Sequence, residues 1–129
     1  MAAVLLASLL LPWDQPTPDR FLDGYCTYYS AGTMERVAQY RHMPLDGAIG
    51  YVALNRAGDL GRLVWLEYNG AMHGPYRVVD MARRGSHYEE RERRGYVAEV
   101  SWKQATAWNM QGPVAVRVHF EPPEPEGCI

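Results

Sequence analysis

Near the end of the chain, Val114, Val116, Val118 and Phe120 interleave with Ala115, Arg117 and His119. A period of two puts each set on its own face of a strand, so this run predicts a β-strand with one apolar side. Arg62 to Tyr68 repeats the pattern, with Val64, Leu66 and Tyr68 set against Leu63, Trp65 and Glu67. Asn69-Gly70 then predicts a tight hairpin into a returning strand over Gly74 to Met81. Ala48 to Leu54 is a nearly continuous apolar run of strand length, closed by the turn composition Asn55-Arg56-Ala57-Gly58-Asp59. Gly24 to Tyr29, rich in aromatic and β-branched residues, predicts a first strand, and Val97 to Ser101 a fifth.

The period lengthens in three places. Thr33 can cap a short helix from Met34 to about Arg41, stopped by Pro44. Ser101 can cap a second, containing Trp102, Ala105, Thr106, Trp108 and Asn109, before Gly112-Pro113. Within Arg83 to Arg94, Ser86 and Glu89 have the spacing of a capping box, and the Glu and Arg residues pair at helical distances on a solvated face. Six short strands in a small domain are best protected by closure, since an open sheet leaves edges that pair with other chains. The expectation is a mainly β fold, a closed six-stranded barrel with two or three short helices. No sequence repeat of 20 to 50 residues is visible.

The 129 residues allow one domain, and 47% hydrophobic content can close a core. Thirteen basic against fifteen acidic residues leave a formal charge of -2, with no global field to hold a phosphate backbone, so a nucleic-acid partner is not expected. His42, His73, His87 and His119 show no metal-ligand spacing, the two cysteines form no C-x-x-C, and no glycine-rich phosphate loop occurs. No metal or cofactor is expected.

The ends divide from the middle. Met1 to Trp13 is apolar, and as a helix its core covers about 15 Å against roughly 30 Å of bilayer, so no stable transmembrane anchor is expected. It is similar to the apolar part of a secretory signal peptide, and an arm packed on the domain is the alternative. Asp14 to Asp19, with Pro16 and Pro18, reads as an extended spacer. The expected layout is a signal-like segment and spacer over 1–23, a barrel over 24–120 and a proline-rich tail over 121–129. Cys26 and Cys128 would enclose about 100 residues if bridged, worth up to about 4.7 kcal/mol in an oxidising compartment. Two unrelated thiols are the other reading. A signal-like start and a bridge would both place the protein outside the cytoplasm, secreted or in the cell envelope.

Four segments carry a family likeness. Gly24-Tyr25-Cys26-Thr27-Tyr28-Tyr29-Ser30 resembles the opening Gly-x-Ala-Thr-Tyr-Tyr-Gly strand of the expansin, barwin and rare lipoprotein A-like double-psi β-barrels, with Cys26 in the alanine place. Tyr51 to Leu60, followed by Gly61 to Leu66, resembles their Thr-Ala-x-Asn strand, turn and next strand. Gly74-Pro75-Tyr76-Arg77-Val78-Val79-Asp80 resembles the strand that ends in a functional aspartate. Ala98-Glu99-Val100-Ser101, then Ala105 and Trp108-Asn109-Met110, resembles the Asp-Leu-Ser and helix stretch before the last strand. The chain departs from the family at Glu99, at Met81-Ala82-Arg83 where Arg-Gly-Pro often stands, and at Ala82, where expansins place an aromatic.

The resemblance implies a double-psi barrel that binds or loosens a cell-wall polysaccharide, peptidoglycan or a cellulose-like glucan. It makes Asp80 and Glu99 the candidate acid/base residues of an alternative, lytic transglycosylase-like activity, in which one carboxyl protonates the leaving oxygen. A protein-interaction barrel is a third reading, because fold does not fix function. Asp80 shares strand parity with Tyr76 and Val78, which predicts a carboxyl beside apolar surface. Thr27 could orient one acid, and Tyr28, Tyr29 and Trp102 are candidate sugar contacts. His87 and Tyr88 would be contacts if the charged segment met an anionic polymer. On a purely structural reading, Asp80 accepts turn N–H groups and Glu99 pairs with Arg77 or Arg83.

Overall fold

A computed structural model describes residues 11–124. Six strands, β1 (Phe21–Tyr28), β2 (Gly50–Leu54), β3 (Leu63–Tyr68), β4 (Ala71–Met81), β5 (Tyr96–Val100) and β6 (Val114–His119), close into a barrel in the order β1-β5-β2-β4-β3-β6. Three helices, α1 (Thr33–Tyr40), α2 (Ser86–Arg94) and α3 (Trp102–Ala107), decorate it. The mainly β, six-stranded closed barrel expected from the alternating runs is therefore present. Two pairs are parallel, β1 with β5 and β2 with β4, and the rest are antiparallel. The whole pairing pattern maps onto itself when β1, β2 and β3 are exchanged with β4, β5 and β6. A structural duplication is thus present where the sequence shows no repeat.

The inner faces follow the period-two reading. Val64 and Leu66 of β3, Val116 and Val118 of β6, and Phe120 just beyond are buried, and they pack with Val52, Leu54, Tyr76, Val78 and Val100. Trp108 stacks on Tyr68 from the end of α3, whereas Trp102 is exposed. A second apolar layer lies outside the barrel, where Met34 and Ala38 of α1 cover Ala53 and Val79.

Two irregularities in β4 matter. Opposite Trp65, the strand carries Gly74-Pro75, which shifts the register; a Cβ at Gly74, whose φ is +138°, would lie 2.8 Å from the Trp65 ring. Further on, Val52 pairs with Val78 but Ala53 with Asp80, so Val79 is the extra residue of a bulge. The bulge reverses the parity of the residues beyond it. Asp80 consequently shares a face with Ala53, under α1, and not with Tyr76 and Val78 as alternation predicts.

The helix caps differ from expectation in two cases. Gly32 and Gly85, both with positive φ, are the N-caps of α1 and α2, and neither Thr33 nor Ser86 caps its helix because each is already the first helical residue. The Ser86–Glu89 capping box is therefore not formed. Ser101 does cap α3, accepting from the Gln104 N–H at 3.1 Å.

The segment expected as a spacer is extended but docked. Thr17 is buried, donating its N–H and its hydroxyl to the Asp59 carboxylate at 2.8 and 2.6 Å, and Arg62 donates to the same carboxylate at 2.9 Å. A Cβ at Gly58 would lie 2.1 Å from the Gln15 backbone, so glycine is required for this close approach. Trp13 adds a bond from its indole N–H to the Ala82 carbonyl at 2.9 Å. The strand itself begins at Phe21, which pairs with His119, three residues before the expected start of the domain.

Cys26 is fully buried and makes no disulfide among the described residues; Cys128 lies outside them. Burial, with the Glu99 charge adding to it, pushes the Cys26 thiol up to about 12. A thiol so protected is expected to resist maleimide for hours in the folded, reduced protein and to react on addition of denaturant. Rapid labelling at pH 7.5, followed by mass spectrometry, would contradict its burial.

Candidate functional site

One lateral row crosses four strands. Thr27 of β1 pairs with Glu99 of β5, Glu99 with Ala53 of β2, and Ala53 with Asp80 of β4. Residues in one such row share a face, so Asp80 and Glu99 project to the same side. Two strand spacings separate their backbones by roughly 10 Å. Ala53 between them is buried under Met34 and Ala38 of α1.

Each carboxylate is held by an arginine from a helix. Glu99 accepts from Arg91 of α2 at 2.8 Å and from the Thr27 hydroxyl at 3.0 Å, and Arg91 also donates to the Asn55 side-chain carbonyl at 2.7 Å. Asp80 accepts from Arg41, just past α1, at 3.1 Å and from the Tyr29 hydroxyl at 2.6 Å. Both carboxylates stay partly open, with side-chain exposures of 20% for Asp80 and 24% for Glu99. Tyr29 is the element common to both acids. Burial is the largest cause holding its hydroxyl well above the usual range, followed by the bond to Asp80 and the charges of Asp80 and Glu99.

The sequence reading is thus corrected in its detail. Asp80 does not face the apolar barrel interior, because the Val79 bulge turns it to the helix-covered side, where it meets Arg41 and Tyr29. The partner of Glu99 is Arg91 and neither Arg77 nor Arg83; Arg77 instead donates to the carbonyls of Leu45, Asp46 and Gly61. Arg41, Arg91 and Asn55 complete the hydrogen-bonding around the two acids, and the sequence pattern does not single them out for it. Arg91 sat inside a charge run whose other members behave as a solvated face: Glu90 pairs with Arg93 and Arg94, all on the surface, while Arg91 is buried.

The aromatic candidates fall into separate places. Tyr28 and Trp102 are exposed, 36% and 46%, with ring centroids 5.6 Å apart, and Tyr28 alternates to the face of β1 opposite Thr27. Tyr29, just past β1, reaches the row through its hydroxyl on Asp80. His87 is exposed in the first turn of α2, and Tyr88 is half-buried, its hydroxyl pushed up by burial first and then by Glu92, with Arg56 opposing. Those contacts put Tyr88 between Glu92 of α2 and Arg56, which follows β2. No group of three or more metal-ligating side chains occurs among the described residues, and no described helix is long and apolar enough to cross a membrane. Comparison with protein-family models, curated proteins and solved structures finds no match.

Proposed function

We propose that the chain is a double-psi β-barrel of the expansin and rare lipoprotein A-like type that works outside the cytoplasm as a polysaccharide-binding or wall-loosening module. The exchange symmetry of the strand pairing, with its two parallel pairs, supports the double-psi assignment. The observation that carries the binding role is the exposed Tyr28–Trp102 pair at the end of β1, where the neighbouring Thr27 hydroxyl donates to the partly open Glu99. Pyranose rings stack their C–H faces on aromatic rings while their hydroxyls need donors and acceptors at the edge. One strand end carries both kinds of group, Tyr28 and Thr27 being adjacent on β1. Binding is favoured over lysis because each carboxylate already sits in an ion pair, whereas a general acid must present a proton to the glycosidic oxygen.

The shared face of Asp80 and Glu99 keeps the lytic reading as the second one. Sedimentation with purified peptidoglycan and with cellulose, together with measurement of soluble fragments, separates the two. The wild-type protein is expected to sediment with polymer and release nothing. Trp102→Ala should weaken binding about tenfold or more, as loss of an aromatic anchor does, without moving the thermal midpoint. Fragment release abolished by Asp80→Asn would establish the enzyme instead, and unaltered binding by Trp102→Ala would remove the aromatic platform.

A further inference from the structure

A recess lies beside β2 and β4, lined by Ser101, Lys103 and Gln104. It is a cleft of about 290 Å³ between α1 and α3, floored by Gly50 and Tyr51 of β2 and Tyr76 of β4. Tyr76 is fixed there by its hydroxyl, which donates to the Gln104 side chain at 2.6 Å. Gly50 does not lie in the left-handed region, so its backbone does not demand glycine; a Cβ there would stand 3.3 Å from the Tyr76 ring. The missing side chain keeps the floor open. Ile49 and Leu45, 62% and 41% exposed, form an apolar wall.

Two opposite charges border the same cleft. Glu35 comes from the first turn of α1 and Lys103 from the first turn of α3, and neither makes an ion pair or side-chain hydrogen bond among the described residues. This contrasts with Asp80, Glu99 and Asp59, whose carboxylates are all taken up by arginines. An unpaired cation and an unpaired anion on one small apolar cleft complement a ligand that carries both charges on a short apolar body. A short peptide has that chemistry, with a carboxylate for Lys103, an ammonium for Glu35 and small side chains for Ile49. The volume admits only a few small residues.

We propose that this cleft binds a short peptide bearing a carboxylate and an ammonium group. Lys103 directly follows Trp102 on α3, so the helix that borders the cleft also carries the indole of the Tyr28–Trp102 pair. Resting on the polysaccharide reading, the polymer recognised is then a peptide-bearing glycan, peptidoglycan with its stem peptides, and not a bare glucan.

The test uses the full chain with three probes: intact peptidoglycan, the same material stripped of its peptides by an amidase, and a free stem tetrapeptide. Intact polymer is expected to retain at least fivefold more protein than stripped polymer. Lys103→Glu should erase that difference, Lys103→Arg should keep it, and both should melt like the wild type because the side chain is exposed. The free tetrapeptide should shift the amide resonances of residues 49–51 and 103–104. Equal retention by intact and stripped polymer would overturn the peptide cleft while leaving the glycan platform standing. A tetrapeptide that shifts those resonances while no polymer is retained would support the cleft and overturn the polysaccharide reading. A silent tetrapeptide would overturn the cleft.

Discussion

Asp59→Ala is expected to lower the free energy of unfolding by about 3 kcal/mol, read as a lower urea midpoint with an unchanged slope. The carboxylate is 1% exposed and accepts three bonds, two from Thr17 and one from Arg62. Its removal strands a buried N–H, a buried hydroxyl and most of a charge. Breaking a buried pair from one side typically costs 3–5 kcal/mol, and the lower end applies because Arg62 reaches partly into solvent. Thr17→Val removes only one neutral donor and should cost about 1 kcal/mol. Both variants should also speed proteolysis between Trp13 and Arg20, since the docked segment is held to the barrel at Thr17 and Trp13. A wild-type midpoint for Asp59→Ala would mean that residues 13–20 add nothing to the stability of the barrel.

That segment shows which contacts a sequence conceals. Asp59 reads as one more polar turn residue, and Thr17 as part of a proline-containing spacer, because the bonds joining them span 42 positions and leave no periodic trace. The strands were legible for the opposite reason. Burial on one face forces alternation, and Val64–Leu66 and Val116–Val118 carry it without interruption. Alternation failed where one inserted residue, Val79, reversed the parity of β4, and this put Asp80 on the other face from the one its spacing implied. The acid pair and Thr27 could still be picked out through the family likeness, and the register places them in one row. Their arginines could not. Arg41 follows a helix and Arg91 lies in a charge run, and only the packing of α1 and α2 on the barrel turns those two inward while their neighbours stay in water.

Burial of protonated groups gives the fold a steep alkaline limit. Cys26, Tyr29 and Tyr76 are neutral when protonated, and burial is the largest cause raising each above its ordinary value, 9.0 for the thiol and 10.0 for the phenols. The Tyr76 hydroxyl is pushed up to about 12, as is the Cys26 thiol, and Tyr29 is raised as well. A raised value means that the unfolded chain loses the proton first, so the stabilisation is complete below the unfolded values and declines as pH rises toward the folded ones. Between pH 8 and 10.5 the loss should reach about 2 kcal/mol from Cys26 and about 1 kcal/mol from each tyrosine, roughly 4 kcal/mol in all. Urea unfolding under reducing conditions across that range measures it directly. Cys26→Ala should be less stable at pH 8, through the small cavity left in the core, yet its decline toward pH 10.5 should be shallower by about 2 kcal/mol. A decline of equal slope in the two proteins would show that the thiol titrates as freely in the folded barrel as in the unfolded chain, and its burial between β5 and β6 would then be wrong.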